Sequence, residues 1–322
     1  MKKMNVVVIG GGHGQSVILR GLKQLKDVHL STIVTVADDG GSTGRLRKYM
    51  HIPAVGDIRN VMIALSEEET LLTTLMDYRF NSENNEDIGG HNLGNLMLTA
   101  LVQKSGDIMT AIHQLGKVLR VKGDVIPSTT QIVTLCARMD DDTIVSGESN
   151  IPKYFNNIEE IFYQEKVTAT KSAIKAIKKA DIIIFGIGSL YTSIIPNLII
   201  PQLRDAINAS SARKIYLCNA MTQHGETDGY SLEDHVKAIE KHLQGHLDTV
   251  VRAKDAMPHD ALMRYESEYA YPVFMKQKTH RYRIVNASLL SFENGLIRHD
   301  PDKIRRVIER LIGEETCHSQ PM

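Results

Sequence analysis

Three carboxylates, Asp38, Asp39 and Asp57, stand in polar turns near the start of the chain. Adjacent carboxylates at the end of a strand can hold Mg²⁺, or can accept hydrogen bonds from a sugar or a ring. Arg45 follows closely and can pair with a phosphate or with these acids. The structural alternative makes Asp38 and Asp57 helix N-caps and leaves Asp39 solvated. The pattern therefore predicts a phosphate or metal site, with capping as the competing interpretation.

A glycine-rich turn precedes these acids. The apolar run 6–9 leads into residues 10–16, which read Gly-Gly-Gly-His-Gly-Gln-Ser. Glycine lets the backbone approach a ligand closely, and the amides that open the following helix favour an anion. The predicted ligand-binding residues of this turn are Gly11, Gly12, His13 and Gly14. The alternative is a tight strand-to-helix turn without a ligand, in which the histidine is only tolerated.

The same turn is close to a dinucleotide fingerprint but does not satisfy it. Gly10 and Gly12 fit the first two positions, whereas Gln15 stands where the third glycine or alanine is expected. The acid that should follow about twenty residues on comes later, at Asp38. This departure argues against ordinary NAD(P) chemistry and leaves another phosphate-bearing ligand as the leading hypothesis.

Polar groups follow in other glycine turns that open helices or end strands. They can contact a phosphate, a base or a sugar, although Asn92 also fits a plain capping role. The connection 219–230 is longer than the usual αβ connection of about 2–6 residues. The further candidate ligand-binding residues are Gly41, Ser42, Thr43, His91, Asn92, Asn95, Gly188, Ser189, Thr192, Asn219 and Thr222.

The elements that position these residues alternate between strands and helices. Residues 131–139 and 143–146 predict an antiparallel hairpin, so the predicted sheet is not purely parallel. No composition shift marks a boundary, and we expect one continuous α/β domain with insertions over residues 1–322. Hydrophobic periodicity predicts strands at 4–9, 32–37, 181–185 and 214–219, helices at 15–26, 68–79, 106–119 and 170–180, a turn followed by a helix within 53–66, and a loop at 81–92.

Several helix ends are marked by local signals. Ser231 with early acids predicts an N-cap, and Asp300 before Pro301 predicts the start of the last helix. Gly313 is expected to end that helix, because glycine is common just after a helix C-terminus.

Composition limits the classes of function. The 38 basic and 38 acidic residues give a net charge of zero, so no basic field favours nucleic acid or a membrane surface. The three cysteines are far apart, which excludes a disulfide framework or a zinc knuckle, and apolar runs are too short to span a bilayer. No GxSxG, HExxH or Walker motif is present. We expect a cytoplasmic protein with no membrane insertion.

As an ordered set, the loops resemble the YvcK-type gluconeogenesis factors of the CofD (2-phospho-L-lactate transferase) superfamily. The resemblance covers nearly the whole chain. It departs at Ile187, because the third glycine loop of the family usually reads Gly-Pro-Gly-Ser. The segments that carry the resemblance are 10–14, 37–44, 56–60, 90–95, 188–193 and 221–227.

This resemblance implies a Rossmann-like three-layer α/β/α fold with a mostly parallel sheet, and a homo-oligomer. In the transferase branch, acids that match Asp38, Asp39 and Asp57 bind metal and acceptor, with Asp38 and Asp57 as the candidate Mg²⁺ ligands. No other cofactor is implied. The YvcK-like branch resembles UDP-sugar-binding regulators that are needed for cell shape and wall synthesis during gluconeogenic growth.

Two functions therefore remain open. The first is a regulatory factor that binds a UDP-sugar or another nucleotide diphosphate without consuming it. The second is a Mg²⁺-dependent transferase that moves a 2-phospholactyl group from a nucleotide diphosphate donor to a deazaflavin acceptor. Under the second hypothesis Asp38, Asp39 and Asp57 are the catalytic candidates. Whether the chain is an enzyme stays undecided by its sequence.

Overall fold

The structure is a computed structural model that describes residues 3–67, 71–81, 87–154 and 156–318, with only the backbone described for 315–318. The described strands are β1 (Met4–Gly10), β2 (Val28–Val34), β3 (Asp124–Pro127), β4 (Leu135–Met139), β5 (Ile144–Ser146), β6 (Ile158–Tyr163), β7 (Ile182–Phe185), β8 (Arg213–Leu217), β9 (Thr249–Ala253), β10 (Arg283–Ala287), β11 (Leu290–Ser291) and β12 (Arg298–His299).

Helices connect and cover these strands. They are α1 (Gly12–Leu22), α2 (Gly41–Met50), α3 (Gly56–Leu65), α4 (Leu71–Asp77), α5 (Leu93–Ser105), α6 (Ile108–Val118), α7 (Lys171–Lys179), α8 (Ile195–Leu198), α9 (Pro201–Ala209), α10 (Leu232–Leu243), α11 (His259–Ser267) and α12 (Pro301–His318). Short 3₁₀ segments cover Glu148–Lys153 and Glu293–Gly295, and a π-helical turn covers Leu190–Ile194.

Seven strands form one sheet in the order β10-β9-β8-β7-β1-β2-β3, and each neighbouring pair in it is parallel. The interior strand β1 is fully buried from Val6 to Ile9, as expected for a strand covered on both faces. The chain moves outward in one direction from β1 and in the other from β7. Helices flank the sheet, with α1, α3 and α12 packed together and α7 packed on α9. The predicted three-layer architecture is confirmed.

The predicted hairpin is present as β4 and β5, with Cys136 opposite Ser146. It lies outside the seven-stranded sheet, because β6, which the sequence analysis missed, pairs with the other edge of β4. The three strands form a small antiparallel sheet inserted between β3 and α7. The parallel and antiparallel pairings are thus separated into two sheets rather than mixed in one.

Some predicted boundaries were wrong. The strand predicted at 32–37 is β2, Val28–Val34, because the chain leaves the sheet soon after the amide of Thr35 binds the carbonyl of Gly10 at 3.0 Å. The helix predicted at 15–26 is α1, which starts earlier since the glycine turn itself forms its first turn. The helix predicted at 68–79 is Leu71–Asp77, with 68–70 outside the described residues, as are 82–86 of the predicted loop.

The helix-start predictions are confirmed, whereas the predicted stop is wrong. Ser231 forms a capping box with Asp234, and the Asp300 carboxylate accepts from the amides that open α12. Helix α12 continues through Gly313 to His318. Glycine costs only about 1 kcal/mol inside a helix, and the buried apolar face of α12 offsets this.

Cys136 and Cys218 are free and buried, as the apolar runs around them predict. Within the described residues no helix combines the length and the apolar character that a membrane span needs.

Candidate functional site

The strand order reverses between β1 and β7, and the loops that leave these two strands meet there. A Cβ atom on Gly14 would lie 2.2 Å from the carbonyl oxygen of Ile187, and one on Gly188 would lie 3.4 Å from that of Gly11. Only glycine allows this approach of one backbone to the other. In open α/β sheets such a switch point, at the carboxyl ends of the strands, is where ligands bind. The first and third glycine loops therefore meet at the switch point.

The amides that open α1 are available at this point. The N-cap, Gly11, provides no side-chain cap, and no acid of the chain lies in the first turn of α1. The amide of Gly12 hydrogen-bonds to the Asp57 carboxylate, which leaves the next amides open to an anion. Desolvation is the larger cause and the nearby Arg59 guanidinium the next; both lower the pKa of His13, which is still accessible to solvent. A neutral imidazole can donate to a ligand oxygen.

Gln15 explains why the dinucleotide fingerprint fails. Its side chain is fully buried, and its amide nitrogen donates to the Val8 carbonyl at 3.1 Å, the Thr32 hydroxyl at 2.7 Å and the Ile33 carbonyl at 3.0 Å. The fingerprint glycine lets a helix pack closely on its strand, whereas this glutamine fastens α1 to both β1 and β2. The position is structural in this chain.

Two of the predicted acids face this switch point. A Cβ on Gly11 would lie 2.7 Å from Asp57 Oδ2, and a Cβ on Gly56 would lie 2.9 Å from Asp38 Oδ2. Burial and then the charge of Asp38 raise the pKa of Asp57 to about 7. Burial also raises the pKa of Asp38, opposed by a hydrogen bond from the amide of Gly40. The two carboxylates thus form one electrostatically coupled pair.

The capping interpretations of these acids are wrong. The N-cap of α2 is Gly40; Asp38 accepts from the amide of Gly40 at 2.9 Å and from the Thr43 side chain. Asp57 lies inside the first turn of α3, after the N-cap Val55. Local sequence allowed a capping role, but the two side chains turn toward each other across the glycine loops.

Asp39 is placed differently, since it holds the loop rather than facing the pair. Its carboxylate accepts from the amides of Glu148 at 3.1 Å and Ser149 at 2.9 Å. The guanidinium of Arg47 binds the carbonyls of Ala37 and Asp38 from the other side. The ligand-binding and catalytic roles of Asp39 stay predictions, but both of its carboxylate oxygens already accept hydrogen bonds from backbone amides.

Glu148 joins the acids because of this anchor. Burial, then the charges of Asp38 and Asp57, raise the pKa of Glu148 to about 8. Nothing in the local sequence around Glu148 marks it as a site residue. It is brought to the site by the antiparallel insertion, and the sequence analysis missed it.

A divalent cation fits this donor set only with help from a ligand. Within the described residues, no group of three or more histidine, cysteine or acidic side chains is arranged to hold a metal. Mg²⁺ commonly uses one or two carboxylates and completes its shell with water and phosphate oxygens. Asp38 and Asp57 match that pattern, and a cation would relieve the repulsion between them.

The predicted residues of segments 41–43 and 91–95 form a buried network. The Ser42 hydroxyl binds Nδ1 of His91 at 3.0 Å and accepts from the amide nitrogen of the Asn95 side chain at 3.3 Å. Asn95 also reaches the Thr43 hydroxyl at 3.4 Å, and Asn92 caps α5. All five side chains are buried. The capping role of Asn92 is confirmed, and the network fixes the start of α2 against that of α5.

Arg45 also links α2 to the turn before α5, since its guanidinium donates to the Gly89 carbonyl at 2.7 Å. A role toward a phosphate stays a prediction. The side chain lies near Gly90, where an added Cβ would be 3.2 Å from Nη2, so Arg45 closes the outer side of the 87–92 turn over α2.

The third glycine loop is held by the segment that follows β8. Ser189 donates to the Gln223 side chain at 2.7 Å, and the Asn219 amide donates to the Gly188 carbonyl at 2.8 Å. Thr222 exchanges hydrogen bonds with the backbone of Tyr271. These contacts make the long connection 219–230 part of the site wall, which accounts for its length.

Glu226 completes this wall and was also missed as a site residue. It is buried and accepts from the amide of Tyr191 at 3.0 Å, the Thr192 hydroxyl at 2.9 Å and the Gln223 side chain at 2.9 Å. Burial raises the pKa of Glu226 to about 7 despite these bonds. The motif 221–227 contains this residue, so the signal was present. Its partner, the π-helical turn, was not visible in the sequence.

Known proteins resemble this chain over nearly its whole length. The model of the family described as "2-phospho-L-lactate transferase CofD" matches residues 6–290. A "Gluconeogenesis factor" of Halalkalibacterium halodurans is 44% identical over 96% of this chain and 96% of its own length. The "Gluconeogenesis factor" of Bacillus subtilis is 43% identical over 97% of this chain and 99% of its own length.

Solved structures agree with these matches. The crystal structure of a Bacillus halodurans protein superposes with a TM-score of 0.92 at 43% identity, covering 96% of this chain and all of that one. A second crystal structure, described as a member of the upf0052 family, gives a TM-score of 0.91 at 44% identity over the same share.

Proposed function

Because this chain belongs to the CofD family and is similar over nearly its whole length to gluconeogenesis factors, we propose that it is a nucleotide-sugar-binding regulatory factor. Its proposed ligand is a UDP-sugar, and its proposed role is support of growth on gluconeogenic carbon sources. That role includes cell shape and wall synthesis. It is proposed to act in the cytoplasm as a homo-oligomer.

The convergence of two glycine loops at the switch point carries this proposal. Gly14 and Ile187 approach closely, so the glycine turn that opens α1 lies beside the third glycine loop. Backbone amides at the N-terminus of α1 suit a diphosphate, because they supply donors and a favourable dipole. Beside it, Asp38 and Asp57 can accept from sugar hydroxyls or share a Mg²⁺ with the diphosphate.

The wall formed by residues 219–226 supports a ligand longer than a diphosphate. Asn219 continues from the third glycine loop toward a cavity of about 300 Å³ at the ends of β8 and β9. Apolar groups of Ala220, Leu232 and Val273 line that cavity. A base or a sugar placed there would leave the diphosphate at the switch point.

A 2-phospholactyl transferase is the second candidate, favoured by the Asp38 and Asp57 pair. In that reaction an acceptor hydroxyl would attack the phosphorus that carries the lactyl group. A new P–O bond would form, the P–O–P bridge would break, and a nucleoside monophosphate would leave. Asp57, with a pKa of about 7, can accept the hydroxyl proton near neutral pH. Mg²⁺ would neutralise charge on the phosphates.

Calorimetry and thermal shift of the pure protein separate the two functions. The panel is UDP-N-acetylglucosamine, UDP-glucose, GDP, GTP and NAD(P), each with and without Mg²⁺. A ligand that binds only the native state must raise its Tm. Stabilisation by UDP-sugars, with the ligand recovered intact, supports the regulator. Preference for guanine nucleotides, with release of a monophosphate, supports the transferase, and binding of none of them contradicts both.

A further inference from the structure

A second cleft lies at the end of the seven-stranded sheet opposite the switch point. It has a volume of about 640 Å³ and opens where β1, β2 and β3 begin, at Asn5, His29 and Asp124. Asn5 and Gly10 are at opposite ends of β1, so the cleft and the switch point are about 17 Å apart. None of the residues that line this cleft is used in the nucleotide-sugar proposal.

The floor of this cleft is apolar and of a size that suits a small molecule. It includes side chains of Val7, Met62, Ile112 and Ile126. Pockets for small ligands usually measure about 300–1,000 Å³ and combine apolar walls with a few polar groups.

Two helices supply basic side chains to this cleft. Helix α6 and the residues just after it provide His113, Lys117 and Arg120, at spacings that place them on one face. Helix α7 provides Lys175 and Lys179 at the same kind of spacing. Across the described ranges, none of these five side chains forms an ion pair with a carboxylate. A cleft lined by one sign of charge concentrates ions of the opposite sign.

Asp124 is the acid that lines this cleft, and it is already engaged. It accepts from Nε2 of His29 at 3.0 Å and from the Ser31 hydroxyl at 3.3 Å. The chain as a whole has no net charge, so the basic side chains of α6 and α7 are a local concentration and not a general property. Like charges gathered at one cleft repel, and a bound anion would reduce that cost.

The edge of the sheet adds hydrogen-bonding groups. Successive residues of β3 point their backbone groups alternately toward β2 and away from it. The amide of Ser128 donates to the Val34 carbonyl, so the amide and carbonyl of Val125 point away from β2, toward the cleft. Pro127, the next residue with that orientation, has no amide, and its carbonyl accepts from Thr170. Val125 alone offers too few backbone groups to pair with an added peptide strand, so a small molecule fits better.

We propose that this cleft is a second binding site, specific for a small organic anion that carries at least two phosphate or carboxylate groups. The anionic groups would contact the basic side chains of α6 and α7, and the carbon part would rest on Ile112 and Ile126. The proposal is independent of the nucleotide-sugar site.

Acylation of lysines, read by peptide mass spectrometry, tests this with unmodified protein. Citrate and inorganic pyrophosphate are the probes, used at low ionic strength because salt screens exposed charges. We expect slower acylation of Lys117, Lys175 and Lys179, with Lys104 and Lys178 unchanged as exposed lysines outside the cleft. Equal protection of all five lysines, or none, overturns the proposal. Protection by an acidic peptide but by neither probe also overturns it.

Calorimetry of charge-reversed variants provides the second test. Lys117→Glu with Lys175→Glu should weaken binding of both probes roughly tenfold or more. Lys104→Glu with Lys178→Glu changes the net charge equally and should leave affinity within about twofold, because only the general field is altered. Equal loss in the two pairs would show a nonspecific field effect and contradict a built site. Asp38→Asn should retain citrate binding, which separates this result from failure of the nucleotide-sugar proposal.

Discussion

The carboxylate of Asp39 accepts a hydrogen bond of 2.9 Å from the amide of Ser149, a residue 110 positions later in the chain. With the matching bond from Glu148, it ties the second glycine loop to the antiparallel insertion. That tie brings the Glu148 carboxyl to Asp38 and Asp57. One acid therefore organises the loop, while its neighbour Asp38 faces the proposed ligand.

Asp39→Asn should destabilise the fold by about 1–2 kcal/mol, because an amide group can replace only one of the two accepting oxygens. Chemical denaturation measures this change. Asp142→Asn, at an exposed carboxyl of the β4–β5 turn, is the matched control and should change stability little. A stable Asp39→Asn variant that only loses ligand would instead give Asp39 a direct binding role.

Asp38→Asn should weaken binding of UDP-N-acetylglucosamine in Mg²⁺ roughly tenfold or more, since it removes a predicted ligand and metal contact. The Tm without ligand should stay or rise slightly, because a carboxyl whose pKa is raised by burial loses its unfavourable charge. Calorimetry and thermal unfolding give the two values. Unchanged affinity with a lowered Tm would assign Asp38 a purely structural role.

Gly14→Ala and Gly21→Ala form a matched pair on the same helix. Each new Cβ would lie 2.2 Å from a backbone carbonyl oxygen, that of Ile187 for Gly14 and that of Pro301 for Gly21. Both should destabilise by about 3 kcal/mol. Only Gly14→Ala should reduce nucleotide-sugar affinity of the folded fraction, measured by calorimetry well below the Tm. Equal loss of affinity in both would indicate a general effect of instability.

Glu148→Gln should stabilise the protein in a pH-dependent way. The folded-state pKa of this carboxyl is raised to about 8, so the native state keeps the proton that the unfolded state has lost. Stability therefore falls as pH rises from about 4.5 to about 8. The variant escapes this fall and should gain about 1–2 kcal/mol at pH 8, after allowance for solvent screening, and almost nothing near pH 5.

Denaturation curves across that pH range test this prediction. Glu266→Gln, at an exposed carboxyl on α11, is the control and should show no such trend. A gain for Glu148→Gln that does not vary with pH would show that the charge of Glu148 is not its cause.

Gln15→Gly restores the dinucleotide fingerprint in sequence but removes three hydrogen bonds to Val8, Thr32 and Ile33. We expect a loss of about 3 kcal/mol in unfolding free energy and no gain in NAD(P) affinity. Denaturation and calorimetry check the two outcomes. NAD(P) binding by this variant would mean that the glutamine is what excludes the cofactor.

The sequence by itself determined the repeated strand-to-glycine-to-helix units, because apolar runs, glycine turns and helix caps are local signals. From them the layered α/β class, the first and third glycine loops and the acids Asp38 and Asp57 could be predicted. It misled where a local signal was weaker than packing. The buried face of α12 carries that helix through Gly313. Strands β3, β9 and β10 were missed.

Only the tertiary structure decided which polar groups face the proposed ligand and which serve the protein. Ser42, His91 and Asn95 have the composition of a binding loop, yet they are buried against one another. Glu148 has no local signal and reaches the acids through contacts distant in sequence. The physical reason is that a side chain's local sequence fixes its chemistry, whereas its partners, burial and pKa depend on elements that meet only when the chain folds.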